Sequence, residues 1–146
     1  MDDRGASGFR LVGPYQLADA MPEWEPHFPQ FDTVFGYSDL GHVFLRNGRT
    51  RDYAILHPYI ASAKDYGRFI EITDFVAEVL LDPGFAEYVL RPSHVAAIRE
   101  LHGPLVDDEV YIAAPYPFLG GSERPDAYMR GDVWVFLDLV AQAQGL

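Results

Sequence analysis

FGYSDLGHVFLRNGRTRDYAILHPY, residues 35–59, carries two apolar-rich runs, His42 to Leu45 and Tyr53 to Leu56, on either side of Asn47-Gly48. Asn-Gly accepts positive φ and suits a tight reversal between antiparallel strands, so the stretch is predicted to be a β-hairpin with strands over 42–46 and 52–57. Gly36 and Gly41 stand ahead of it, where the chain turns before a strand, and Asp39 between them can bond local backbone amides. The hairpin is then a sheet nucleus. The elements that follow it are expected to cover one face of that sheet.

Downstream, residues 60–67 extend the strand pattern, and Thr73 offers an N-cap with Asp74 in the first turn. Phe75, Val76, Val79 and Leu80 form one helical stripe, which predicts a helix over 74–81. Asp82-Pro83 sets a capping carboxylate before a proline at the first helical position of a second helix, 83–90, with Phe85, Val89 and Tyr88 on its inner side. A third, 94–102, buries Val95, Ile98 and Leu101 and stops at Gly103-Pro104. Val110 to Tyr116 alternates as a central strand of the hairpin's sheet, closed by Pro117. Gly120-Gly121-Ser122 is a flexible turn, Ala127 to Arg130 a short strand, and Asp132 the cap of a last helix, 133–143. Trp134, Phe136, Leu137, Leu139 and Val140 make that helix apolar almost all round, so it is expected to be buried.

Upstream, the first eight residues lack periodicity and read as a mobile terminus. Phe9 to Val12 is a short edge strand, and Tyr15 to Ala20 a helical turn ended by Pro22, Pro26 and Pro29. Residues 9–34 read as an irregular lead, and Trp24, Phe28 and Phe31 within it, with Phe35 just after it, plug gaps beside the sheet. The order of elements, without regular βαβ alternation, predicts one α+β domain with a mainly antiparallel sheet, several short helices and a buried C-terminal helix.

At 146 residues and 49% hydrophobic content, the chain can bury an ordinary core without disulfides. It has no cysteine, which removes thiolate nucleophiles and cysteine-ligated metals. No apolar run reaches the roughly 18 residues of a membrane span, and the acidic start lacks a secretory pattern, so a cytoplasmic protein is expected. The formal charge of -11 repels a phosphate backbone and argues against direct nucleic-acid binding. The same field favours encounter with a basic protein.

The chemical inventory is thin. His27, His42, His57, His94 and His102 show no metal-ligand spacing, and none of the five serines lies in an activated motif. Gly120-Gly121-Ser122 lacks a phosphate-loop lysine, since the single lysine is Lys64. Asp107-Asp108-Glu109 reads as a solvated turn rather than a cation site. No metal and no cofactor is expected. A small hydrolase built on Asp39, His42 and His57 would need those side chains to converge.

The FGYSDLGHVFLRN and YAILHPY runs, the LLDPGFAEYVL helix pair, the LHGPLVDDEVYIAAPYPFLGGSE segment and the ending VWVFLDLVAQAQ together resemble the C-terminal domain of type VI secretion immunity proteins, a family that accompanies GAD-like domains and neutralises antibacterial DNase effectors. The matching segments fall in order over residues 35–143, and the hairpin alone is similar to the wider SUKH immunity superfamily. The resemblance implies an α+β toxin-binding protein rather than an enzyme, with a cognate toxin or effector as partner. A SUKH-like regulatory or scaffold module is the alternative. An inhibitor of this kind needs a rigid acidic surface with aromatic anchors. Tyr37, Asp39, Tyr59, Tyr66, Asp107, Asp108, Glu109 and Tyr116 are the candidate contacts, because they fall in predicted turns or strand ends.

Overall fold

The computed structural model describes residues 7–146 and has an α+β architecture. Strands β1 (Phe9–Gln16), β2 (Thr33–Ser38), β3 (Val43–Arg46), β4 (Asp52–His57) and β5 (Ser62–Arg68) form an antiparallel sheet in chain order. Between β1 and β2 lie a single helical turn, α1 (Leu17–Ala20), and the aromatic lead. Helix α2 (Ile72–Phe75) passes into a π-helical turn (Val76–Leu80), and α3 (Pro83–Phe85) into a second (Ala86–Leu90). Helix α4 (Pro92–His102), a two-stranded sheet of β6 (Glu109–Ala113) and β7 (Tyr128–Asp132), and helix α5 (Val133–Ala143) complete the chain. The expected mobile start lies outside the described residues except for Ser7 and Gly8, and the Gly8 carbonyl accepts the Asp39 N–H at 2.9 Å.

The hairpin is present, with Val43 opposite Leu56 and Arg46 opposite Tyr53. Its turn differs from the expected two-residue reversal. It spans 47–51, and the positive φ falls on Arg51 (67°) rather than on Asn47-Gly48. Asn47 works through its side chain, whose Oδ1 accepts the N–H groups of Arg49 and Thr50 at 2.8 and 2.9 Å. Gly36 is also not a turn residue. It lies inside β2, where a Cβ would stand 2.6 Å from the Arg10 carbonyl of β1.

The covering of the sheet corrects the one-sided expectation, because both faces are buried. Val34, Tyr37, Val43, Leu45, Ala54 and Leu56 meet the aromatic lead and α5, while Phe35, Phe44, Tyr53 and Ile55 meet α2, α3 and their π turns. Unbroken apolar runs such as VFL and YAIL are the mark of strands covered on both sides. Trp24, Phe28, Phe31 and Phe35 are all buried, and Trp24 stacks on Phe28 at a ring separation of 6.3 Å.

Residues 110–116 are not a strand of the main sheet. β6 ends at Ala113 and pairs only with β7 in its own ladder, Val110 opposite Gly131. A backbone bond from the Tyr111 N–H to the Asp39 carbonyl, 2.8 Å, ties this ribbon to the main sheet. The 120–122 turn is packed rather than flexible at Gly121, where a Cβ would run into the Pro115 carbonyl.

One helix cap differs from expectation and two agree with it. The first helix after the sheet is capped by Glu71 through a reciprocal box with Asp74, not by Thr73. Asp82 caps as predicted, accepting the Phe85 N–H at 3.1 Å, and Asp132 accepts the N–H groups of Trp134 and Val135. Leu101 is exposed rather than buried, and so is Tyr88.

Helix α5 buries one face, Val133, Phe136, Leu137, Val140 and Ala141, and leaves Val135 and Leu139 exposed. Trp134 is half-buried, edge-on to Tyr15 and Tyr37. Trp134→Ala is therefore expected to cost about 1–2 kcal/mol, below the range for a fully buried aromatic. A urea denaturation series measures it.

Candidate functional site

The eight candidate contacts separate into four places. Tyr37 and Asp39 are sealed from solvent at 0% and 1% exposure, which removes them as contact residues in this conformation. The Tyr37 hydroxyl donates to Asp108 Oδ1 at 2.6 Å, and Arg10 bonds the Asp107 carbonyl and faces the Asp108 carboxylate at 3.7 Å. Glu109 accepts the Val106 N–H at 3.0 Å and faces Arg130 at 3.9 Å. The acidic triplet thus fastens β1 and β2 to the start of β6, in place of the solvated turn expected of it. Only Asp107 in the triplet belongs to an exposed residue.

Tyr59 and Tyr116 meet each other at a ring separation of 6.0 Å, and both stand edge-on to Phe136. The Tyr59 hydroxyl accepts the Ala113 N–H at 3.1 Å, and burial pushes the ionisation of both tyrosines upward. Tyr116 also lines an apolar groove of about 390 Å³ with Leu119, Met129, Val135 and Leu139. No lysine or arginine lines it, and its one acid, Asp132, caps α5.

Asp39, His42 and His57 do not form the arrangement a hydrolase would need. The two imidazoles meet edge to face at 4.9 Å, but the Asp39 carboxylate is turned into the interior toward Arg99, 3.9 Å away. The serine nearest the histidines, Ser38, is fully buried.

Tyr66 leads to a recess edged by carboxylates. It lines a recess of about 340 Å³ with Glu78, Asp82, Phe85 and Tyr88, and the Lys64 ammonium lies over its ring at 5.0 Å. Around the recess, residues 70–90 hold Glu71, Asp74, Glu78, Asp82 and Glu87 and no basic residue. Glu71, Asp74 and Asp82 are engaged as caps, which leaves Glu78 and Glu87 as the outward carboxylates of this face. Ile70, Leu81 and Tyr88 stand out from it at 69%, 61% and 79% exposure.

The π turns account for this display. The Leu81 N–H bonds the Val76 carbonyl at 2.9 Å and the Arg91 N–H bonds the Ala86 carbonyl at 2.7 Å, each an i→i+5 closure. Such a turn is wider than an α turn and shifts the residues after it around the axis. The sequence signal for this face was the run of five acids without a base, together with Leu81 and Ile70 lying off the apolar stripe.

Among the described residues no group of three or more His, Cys, Asp or Glu is placed to hold a metal ion, and no helix is long and apolar enough to cross a membrane.

No protein-family model and no curated protein matches the chain. Among solved structures it is similar to the crystal structure of Atu4351 from Agrobacterium tumefaciens, with a TM-score of 0.63 at 15% identity, over 94% of this chain and 67% of that one. That likeness concerns the fold.

Proposed function

We propose that this is an immunity protein that binds and neutralises a cognate secreted antibacterial toxin, a nuclease, by stoichiometric association and without turnover of its own. The observation that carries the reading is the acidic face formed by residues 70–90, a segment with five acids and no basic residue that bears Leu81 and Tyr88 as exposed anchors beside Lys64. A nuclease must present basic surface to hold a phosphate backbone, and an acidic face with apolar anchors competes for that surface. The ordered segments that resemble type VI secretion immunity proteins support the same reading. In it the protein acts in the cytoplasm, where the toxin would meet DNA, and covers the toxin's active site or blocks its productive assembly.

The test is growth of cells expressing the toxin encoded beside this gene, with and without this protein, together with a pull-down of the pair. Protection and a one-to-one complex are expected. Association should slow as salt rises, because attraction between exposed charges is screened over about 8 Å at physiological ionic strength. An active toxin that is neither bound nor neutralised rejects the proposal and transfers support to a scaffold role.

A further inference from the structure

Next to the Tyr66 recess, across Tyr88 and Val89, His42, His57, Arg91 and Glu123 line a recess of about 270 Å³, with Leu40 and Pro58 on its apolar wall. Three observations there point to a ligand. The first is the state of His42. Its backbone N–H donates to Ser38 Oγ at 3.0 Å, and its Nδ1 lies 2.8 Å from the same oxygen. Among the described residues the Ser38 hydroxyl has no other acceptor, so the hydroxyl is assigned as the donor to Nδ1, which places the ring hydrogen on Nε2. Nothing among the described residues accepts that Nε2 hydrogen. Burial first, then His57 and Arg91, depress the His42 pKa to about 3, so the ring is a neutral donor.

The second observation is backbone strain at Arg91, which ends the preceding helical segment at φ 50°, ψ 63°. Glycine is the usual residue at this left-handed position, and an L-residue with a Cβ occupies it at a cost. Arginine brings a guanidinium to the recess in exchange. The third is that group's partner, since Arg91 Nη1 bonds Glu123 Oε1 at 3.0 Å, with the Glu123 side chain 57% exposed. An ion pair this open to water is weak and exchangeable. It also identifies the chemistry the guanidinium selects, a planar carboxylate.

We propose that this recess binds a small carboxylate-bearing molecule, which displaces Glu123 from Arg91 and accepts the Nε2 hydrogen of His42 while its body rests on Leu40 and Pro58. The cavity size restricts the ligand to a compact organic acid. Tyr88 and Val89 line both this recess and the one at Tyr66, so the two adjoin, but the carboxylate site is built on His42, Arg91 and Glu123 and does not depend on the toxin-binding reading.

The experiment is an NMR titration of the full chain with benzoate, and with benzamide as its neutral counterpart, following the imidazole resonances of His42 and His57. Millimolar benzoate is expected to shift both and benzamide neither. Glu123→Gln removes the competing carboxylate and should tighten benzoate binding by roughly two- to five-fold. Arg91→Gly relieves the left-handed backbone and should abolish benzoate binding with the circular dichroism spectrum retained. Equal shifts from the two probes, no shift from benzoate, unchanged affinity in Glu123→Gln, or binding that survives Arg91→Gly each overturns the proposal.

Discussion

Trp24→Ala is expected to lower the unfolding free energy by about 4–5 kcal/mol, at the upper end of what truncating a buried aromatic costs. Trp24 is completely buried, packs on Phe28, and donates its indole N–H to the Leu137 carbonyl of α5 at 2.8 Å. The substitution therefore opens a cavity where the aromatic lead, the sheet and α5 meet, and removes the one polar tie between lead and helix that the indole supplies. Urea slopes for domains of this size run at about 1–3 kcal/mol per molar, so the midpoint should fall by roughly 2 M. Total stabilities of about 5–15 kcal/mol put such a variant near the limit of folding. A midpoint shift no larger than that of Trp134→Ala would show that the lead is not held by this side chain.

The second large effect concerns binding, and it divides between charge and anchor. Glu78 and Glu87 are outward-facing and serve as no helix cap, so Glu78→Gln with Glu87→Gln should leave stability within about 0.5 kcal/mol of the parent. Their joint loss is expected to slow association with the toxin about ten-fold at low salt and to flatten its salt dependence, with little change in dissociation. Tyr88→Ala should act the other way, speeding dissociation by roughly 30-fold if the ring fills a pocket on the partner at about 2 kcal/mol. Stopped-flow mixing measures the first and surface-immobilised dissociation the second. A matched neutralisation of Asp108 and Glu109 is expected to lower stability instead, because their carboxylates hold Tyr37, Arg10 and Arg130. Unaltered kinetics in all the face variants, with toxin binding intact, would move the interface off residues 70–90.

The hairpin, the Asp82 and Asp132 caps and three of the four expected aromatic plugs, Trp24, Phe28 and Phe31, were legible because each rests on local chemistry: turn propensity, a capping oxygen before a helix, an apolar ring with nowhere else to go; Phe35 belongs instead to strand β2 and packs on the opposite face. Strand β2 was not, since Gly36 within it reads as a turn signal until a neighbouring backbone is known to pass close by. The placement of β6 failed for a related reason. Alternation in 110–116 announces a strand but carries no information about which ladder it joins, and β7 lies near enough in sequence to take it.

The candidate contacts suffered from the same limit. Tyr37 and Asp39 look like turn residues, yet Asp108 and Arg99 receive them from far along the chain. The face around Tyr66 needed the π turns, whose i→i+5 bonds leave no mark in periodicity over so few residues.

The order of strands in the large sheet has a consequence for synthesis. Each strand pairs with the one made just before it, and from β2 to β5 the loops are short, so this part of the sheet can close as the chain leaves the ribosome with little search. One face, however, is completed by Val133, Phe136, Leu137 and Val140, and Trp24 finds the Leu137 carbonyl only when α5 exists. Until then the nascent chain presents Val34, Val43, Leu45 and Leu56 on a face that the aromatic lead alone covers, and exposed apolar surface of this kind favours association between copies. Docking of α5 therefore closes that face, and a chain cut before Val133 should leave its apolar residues open to water.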